Sequence, residues 1–386
     1  MKTTDFLIFI SIVLIVYTSV NYYIFARGSQ SLPQIPWLKN TYNIVFVFLF
    51  FAYIIHVFLV RSYPSSLCSI FTWTGSFWMG AMLYLFLAIV FIDLLRLVNH
   101  FIPFFPAFIT QNYEKTKLIA AGSTVFIVAV VILAGFFNAA YPKLKELKIE
   151  INKKVPGLER LTIVAASDIH IGNILKNSHV EKLVKRINLL NPDIVLFPGD
   201  ILDEAIEPVL KYKSGEPLKN IKSKYGVYAI TGNHEYIGGI NESAPYLKSL
   251  GIKLLRDSVA LIDYSFYLIG REDRDSRRFQ GILRKPLELL MQNIDKSKPV
   301  ILLDHQPFNL NEAEMNGIDF QLSGHTHHGQ LWPINFVTKK IYELSWGYKR
   351  KGNTHCYVSS GYGTWGPPVR TGNTPELLVV NVKFNQ

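Results

Sequence analysis

Five short blocks in the second half of the chain carry the residue types that bind metals and move protons. Aspartate, asparagine and histidine side chains without cysteine thiolates suit divalent ions of the Mn, Fe and Zn class. The candidate ligands are more than one ion needs. Two ions about 3.5–4 Å apart that share one carboxylate would use all of them. The seven candidate metal ligands are Asp168, His170, Asp200, Asn233, His305, His325 and His327.

The spacing within the blocks has a physical use. Asp168 and His170 are two residues apart, as are His325 and His327. In extended backbone alternate side chains project to one face, so each pair is predicted to contribute two groups to one cavity. A glycine precedes three of the ligands, where the missing β-carbon lets the backbone approach a metal or substrate. These glycines are Gly199, Gly232 and Gly324.

The blocks follow apolar runs that are typical of buried strands. We predict strands at 161–166, 193–197, 226–230, 299–303, 318–322 and 377–382, with a helix at 180–190. Apolar strands separated by helices indicate an α/β layered domain, in which functional groups collect beyond the carboxyl ends of the strands. Each site residue taken singly is typical of a turn, a helix cap or a packed histidine, as we expect for His179 and His355. Five matching blocks in this order favour a metal site.

The combined blocks resemble the calcineurin-like metallophosphoesterase superfamily over about residues 145–386. A late segment, 360–376, looks like the membrane-anchored bacterial branch of that superfamily. The resemblance implies an αββα sandwich. The blocks that carry it are Asp168-Ile-His170, Gly199-Asp200, Gly232-Asn233-His234-Glu235, His305 and Gly324-His325-Thr-His327.

The resemblance also implies which side chains bind which ion. Asp168, His170, Asp200 and His327 would bind the first metal, and Asp200, Asn233, His305 and His325 the second. The two cations, for which we favour manganese, would polarise a phosphoryl oxygen and activate a bridging hydroxide for in-line attack.

Two further residues are expected to be catalytic. His234 directly follows a ligand, so its side chain is expected to point across the cavity and to protonate the leaving oxygen or stabilise charge. Asp203 is expected to orient His234, by resemblance to serine/threonine phosphatases, or else to cap a helix. Arg370 is a candidate phosphate contact through its planar fork. His328 replaces a glycine common in that branch and is a second candidate substrate contact.

The first 140 residues have a different composition. Of 26 Phe, 19 lie there, together with only seven Lys/Arg and three Asp/Glu. Four uncharged apolar stretches, at 6–25, 42–60, 67–92 and 118–140, are each long enough for a transmembrane helix. The first is too long for the apolar core of a signal peptide and lacks a cleavage site. We therefore predict three segments: a membrane domain at 1–140, a basic juxtamembrane linker with the first strand at 141–160, and the metallophosphoesterase domain at 161–386.

The membrane half offers little chemistry of its own in the sequence. Asp93 and Arg96 are predicted to pair on one helix face, and His56 to be packed or interfacial. A segment at 101–110, broken by two prolines, is expected to lie along the interface. Seven basic residues, among them Lys2 and Arg61, flank the side of both termini, against five on the other side, which favours a cytoplasmic catalytic domain.

Together these features predict an integral membrane enzyme that hydrolyses a phosphodiester or pyrophosphate. A lipid-linked substrate is favoured, because residues 331–365 mix Trp332, Trp346 and Trp365 with basic residues, including the run Lys349 to Lys351. The resemblance points the same way, because some members of the superfamily cleave the pyrophosphate of a lipid-linked nucleotide sugar. Nucleic acid is not an expected partner, although the net charge is +11. The alternatives are a non-catalytic membrane scaffold or sensor, and a transporter with a regulatory phosphoesterase domain.

Overall fold

A computed structural model of the chain describes residues 3–59 and 66–385. These form two compact units, one of Met1–Phe137 with Gly366–Val369 and one of Asn138–Trp365 with Arg370–Gln386. Lys2 and Arg61, which enter the charge count for topology, lie outside the described residues, as does Val60 at the predicted end of the second span.

The first unit contains the four predicted long apolar helices. Four of its helices are long and apolar enough to cross a membrane. Their surfaces leave large apolar side chains exposed, such as Ile44, Phe91 and Phe126. Such surfaces suit hydrocarbon rather than water. The helices are α1 Thr3–Ser31, α2 Pro36–Leu59, α3 Ser66–Phe101, the short α4 Ala107–Gln111, and α5 Tyr113–Ala140.

The second unit contains two six-stranded sheets. In spatial order the first consists of β1 Lys143–Lys154, β12 Glu376–Asn385, β2 Arg160–Ala165, β3 Ile194–Pro198, β4 Val227–Ile230 and β5 Lys253–Leu254. The second consists of β10 Gly347–Lys351, β11 Thr354–Val358, β9 Phe320–Ser323, β8 Val300–Leu303, β7 Phe266–Gly270 and β6 Ser258–Ile262. The helices of the second unit are α6 Asn177–Leu189, α7 Ile206–Tyr212, α8 Asn233–Ile237, α9 Ile240–Ser249, α10 Ser276–Gln280, α11 Leu287–Met291, α12 Leu310–Asn316 and α13 Ile334–Ile341. It also has 3₁₀ turns at Glu216–Asn220 and His327–Gly329.

Three apolar cores hold these layers together. The central core joins the two sheets, for example Ile163 of β2 and Phe320 of β9. A second core packs α6 against the outer face of the first sheet, and a third packs α11 and α12 against the second sheet. The order helix, sheet, sheet, helix confirms the predicted αββα sandwich. Strands β2, β3 and β4 run parallel, as do β7, β8 and β9, so their carboxyl ends carry the predicted site blocks.

Most of the segment predicted as a basic juxtamembrane linker with the first strand forms strand β1. Residues 143–154 form β1, which pairs in parallel with β12 along the edge of the first sheet. Ile149 and Ile151 are buried in the central core, while Lys148 and Glu150 face outward. This is the two-residue period of a half-buried strand, so Lys148 lies on its solvent face, whereas Lys153 pairs with Asp319. The short strands β5, β6, β7, β10 and β11 were absent from the prediction.

Candidate metal centre

The first group of candidate ligands lies at the carboxyl end of the first sheet. Asp168 and His170 follow β2, and His327 comes from the loop after β9. One ligand atom of each lies within 4.8 Å of the others, and all three side chains are buried. His170 Nε2 and His327 Nε2 face one another at 3.0 Å, and Asp168 Oδ1 lies 3.5 Å from His327 Nε2.

The second group adjoins it and contains Asp200, His305 and His325. Asp200 Oδ2 lies 3.1 Å from His305 Nε2. Asn233 belongs to the same group, because its Oδ1 is 2.8 Å from His325 Nδ1 and 3.3 Å from His305 Nε2. The structure therefore brings all seven candidates together in two groups. Their assignment as ligands of particular ions remains a prediction.

The backbone that presents these side chains is not extended, so the predicted geometry of the two-residue spacing is wrong. Asp168 and His170 both have φ of 52°, and His325 and His327 have φ of 72° and 44°. The pairs point inward because alternate residues adopt the left-handed conformation. Non-glycine residues rarely do so, and such strain is concentrated at functional sites.

Two of the predicted glycines are needed for close approach. A β-carbon on Gly232 would collide with Asp200 Oδ1, and one on Gly324 would collide with Ser167 Oγ and Asp168 Oδ2. Any larger residue at these positions would displace a candidate ligand. The backbone therefore lies close to candidate ligands at both sites, and its approach to a metal or substrate stays a prediction.

The donor set fits divalent cations. Asp168 Oδ2 is buried and has no hydrogen-bond partner within the described parts of the chain. It is costly to bury carboxylates, and imidazole nitrogens that face one another, without a partner of opposite charge. A cation bound between these groups would remove that cost. Burial, and then the neighbouring His305, lowers the pKa of His325 to about 3. Burial, and then Arg370, also holds the pKa of His327 well below its usual value. Both rings are therefore neutral, as metal binding requires.

Comparison with known proteins identifies the domain. The Calcineurin-like phosphoesterase family matches residues 161–329. An uncharacterized metallophosphoesterase of Campylobacter jejuni is 29% identical, with 98% of this chain and 99% of that protein covered. A transmembrane protein with metallophosphoesterase domain from Danio rerio is 30% identical, covering 93% of this chain and 83% of that protein. The chain belongs to the calcineurin-like phosphoesterase family.

A third relative matches a shorter stretch of the chain. An uncharacterized metallophosphoesterase of Helicobacter pylori is 36% identical over 239 residues, which are 61% of this chain and 63% of that protein. Family membership and the two ligand groups make the chain a metal-dependent phosphoester hydrolase. The four long apolar helices, and the transmembrane description of the Danio rerio relative, make it a membrane protein.

The candidate general acid of this phosphoesterase lies beside the two groups. The His234 backbone N–H donates to Asp200 Oδ1 at 2.8 Å, and the ring stands edge-on to His170. Asp203 Oδ1 lies 3.3 Å from His234 Nδ1 and 3.5 Å from His170 Nδ1. Although burial disfavours a charge on His234, the carboxylates of Asp200 and Asp203 raise its pKa to about 9.

Glu235 is a functional residue that the sequence reasoning missed. Its buried carboxylate accepts hydrogen bonds of 2.7–3.1 Å from the backbone N–H groups of Asp200, Ile201, Leu202 and Gly232. It therefore ties the Asp200 loop to the Asn233 loop. The available signal was the capping box: a Glu three residues after Gly232 that returns to the N–H of that glycine.

Arg370 is fully buried, and this argues against the predicted phosphate contact. Its guanidinium donates to the carbonyls of Ser360 and Gly363, to Asn373 Oδ1 at 2.7 Å, and to His327 Nδ1 at 2.9 Å. The Asn373 amide donates in turn to the His327 carbonyl. Burial lowers the pKa of Arg370 to about 10, so the group remains charged at neutral pH. Arg370 and Asn373 position His327.

The remaining histidines pack away from the two groups. His328 Nδ1 lies 3.0 Å from Ser345 Oγ, and the ring packs on Trp346. Its predicted substrate contact remains untested. His179 packs on Tyr362, and burial lowers its pKa to about 4. His355 lies between Tyr348 and the Glu150 carbonyl.

Proposed function

We propose that the chain is a membrane-bound two-metal phosphoesterase that hydrolyses a phosphodiester or pyrophosphate of a lipid-linked substrate. The observation that carries the proposal is the convergence of seven ligand candidates, five of them buried, in two adjoining groups with His234 beside them. Bound divalent ions would supply Lewis-acid polarisation of the phosphoryl group and activation of water.

The chain's own residues divide the work. Asp168, His170 and His327 would hold one ion, with Asn233, His305 and His325 holding the other. Asp200 would serve both ions, because its carboxylate lies against His305 and is anchored by the His234 N–H. Arg370 and Glu235 would keep the ligand loops in register.

His234 would hold and transfer the proton. Its ring is adjacent to the ligand groups without belonging to either of the two predicted ion sites. From there it can deliver a proton to the leaving oxygen, while the Asp203 carboxylate, 3.3 Å from Nδ1, stabilises the charged ring. A diester or pyrophosphate, whose leaving group needs protonation, would depend most on this transfer.

The lipid-linked substrate is supported by apolar surface next to the ligand groups. Helix α13 follows the turn at His327–Gly329 directly and exposes Phe336, Val337 and Ile341. Lys339 and Lys340 lie in its last turn. Apolar side chains with adjacent lysines are typical of helices that lie in a membrane interface. Trp365, half exposed, lies 6.3 Å from the His234 ring between centroids.

The sequence placed this interfacial role on Trp346 and the Lys349–Lys351 run, and these residues are engaged elsewhere. Trp346 donates to Glu376 Oε2 at 3.1 Å. Lys349 and Lys351 pair with Glu343. The exposed face of α13 is therefore the better target for a test of lipid binding.

The test is hydrolysis by full-length protein in mixed micelles. We expect the rate on a lipid pyrophosphate to follow its surface mole fraction. The double variant Phe336→Ser/Val337→Ser should lose about tenfold on that lipid and less than twofold on a soluble chromogenic phosphodiester. Met315→Ser, an equally apolar change at an exposed position of α12, is the control.

Other outcomes would redirect the proposal. Equal losses on both substrates would remove the interfacial role. Two bound metals without turnover on any phosphoester would favour a scaffold or sensor.

Metal analysis of protein loaded with Mn, Fe or Zn tests the preference for manganese. A reporter fused to the C-terminus tests the proposed cytoplasmic position, and protease access from outside intact cells would overturn it.

A further inference from the structure

A cavity of about 730 Å³ lies among the helices of the first unit. Residues of α1, α2, α3, α4 and α5 all line it. Most of its wall is apolar, with Ile24, Phe46, Leu85, Ile89 and Val125 among the lining residues. Its volume is within the range of about 300–1,000 Å³ that is typical of ligand sites.

One end of this cavity is charged. Arg27 Nη2 lies 2.7 Å from Asp93 Oδ2, and Arg96 Nη1 lies 3.0 Å from Asp93 Oδ1. Lys117 also lines this end and donates to the Gln30 carbonyl at 3.2 Å. The sequence predicted an isolated Asp93/Arg96 pair and no site in the membrane half. The structure adds Arg27 and Lys117 from two other helices.

The charges at this end do not balance. Among the described residues, Arg27, Arg96 and Lys117 line the cavity against Asp93. Glu114, exposed and outside the lining, pairs with Lys117 at 2.9 Å and leaves a net charge of +1. Asp93 is already engaged by both arginines and by the Tyr23 hydroxyl. Basic pockets between transmembrane helices are typical binding sites for anionic lipid headgroups.

We propose that this cavity binds a lipid whose headgroup carries an anionic phosphate. The phosphate would lie against Arg27, Arg96 and Lys117, since guanidinium forks match phosphate oxygens and a lysine adds a point charge. An acyl chain would occupy the apolar body past Phe46 and Leu85. A free phosphate ion would satisfy the charges but leave that body unfilled, which favours the lipid. The site is separate from the catalytic residues and does not depend on the proposed substrate.

Binding to full-length protein in a neutral detergent, followed by native mass spectrometry, tests the proposal. The probes are phosphatidic acid, phosphatidylcholine and inorganic phosphate. We expect one phosphatidic acid per chain, at least tenfold tighter than phosphatidylcholine. Lys117→Ala should weaken it about tenfold, whereas Lys115→Ala, which removes the same charge from an exposed position outside the cavity, should not. The arginines are kept, because their removal would strand Asp93.

A second variant separates headgroup from chain. Ala121→Phe fills the apolar body without touching the ion pairs, and should weaken phosphatidic acid about tenfold while leaving inorganic phosphate unchanged. Metal content and hydrolysis of a soluble phosphodiester report folding of each variant and should equal wild type. Equal binding of both phospholipids, equal loss in the two lysine variants, or phosphate binding without lipid preference would overturn the proposal. If the wild-type protein hydrolysed none of the phosphoester substrates, the proposed function would fail, but the lipid-binding measurement would still test this proposal.

Discussion

The two charged sites of this molecule are built in opposite ways. In the catalytic unit, Asp168, His170 and Asp200 are at most 2% exposed and come from loops tied together by backbone hydrogen bonds. At the charged end of the helical cavity, the Arg27 and Arg96 side chains are 36% and 44% exposed. They reach Asp93 on long flexible stems.

This difference teaches how each site should respond to change. A rigid, buried ligand set tolerates little, because its members have no alternative position and no water to replace a lost partner. Partly exposed charges at helix ends are screened and can rearrange, so single substitutions should act by graded amounts. The predictions below test that contrast, beginning with the change that should have the largest effect.

Asp200→Asn should abolish both metal binding and hydrolysis. An amide cannot supply the anion that two cations would share, and Asp200 also contacts His305. Metal content per chain and turnover of a chromogenic phosphodiester measure the two effects. Asp203→Asn is the matched control, since it makes the same chemical change outside the predicted ligand set and should retain the metals. Full activity in Asp200→Asn would exclude a two-metal mechanism.

His234→Ala should lower kcat by about 10²–10⁴-fold, which is the usual contribution of a general acid. The metal content should remain unchanged. The loss should shrink when the leaving group is a good one, because it then needs less protonation. Turnover of a nitrophenyl diester and of an alkyl diester gives this comparison. Loss of metal in the variant would show that His234 is a ligand.

Arg370→Lys separates the sequence-based role from the structural one. Because the guanidinium holds His327 Nδ1 and two loop carbonyls, the variant should bind metal about 10–100-fold more weakly, the usual cost of an outer-shell change. Saturating metal should restore kcat with KM unchanged. A raised KM at saturating metal would instead support the phosphate contact that the sequence suggested.

The ligand blocks were predictable because each is a contiguous motif at the end of an apolar strand. The backbone around them was not, since nothing in the two-residue spacing distinguishes extended residues from the left-handed Asp168 and His170. The αββα layers followed from the family resemblance and the buried strands.

The charged end of the helical cavity could not be predicted in the same way. Arg27, Asp93 and Lys117 come from three helices, far apart in the chain, and helix packing alone brings them together. The role of Arg370 was also hidden, because a sequence does not show whether a guanidinium faces a cleft or a carbonyl. Contacts between distant single residues need the tertiary structure.

The smallest expected effect concerns β1, which forms most of the segment predicted as a juxtamembrane linker with the first strand. Ile149 is 3% exposed and packs in the central core, so Ile149→Ala should cost about 2–4 kcal/mol through lost burial and a residual cavity. For a unit of this size that lowers the midpoint of thermal inactivation by roughly 5–10 °C. Lys148→Ala, one residue away on the solvent face, should leave the midpoint within about 1 °C, because exposed substitutions usually act within about 0.5 kcal/mol. Phosphodiester hydrolysis by full-length protein after heating measures both variants. Equal midpoints would mean that residues 143–154 contribute little to the stability of the sheet.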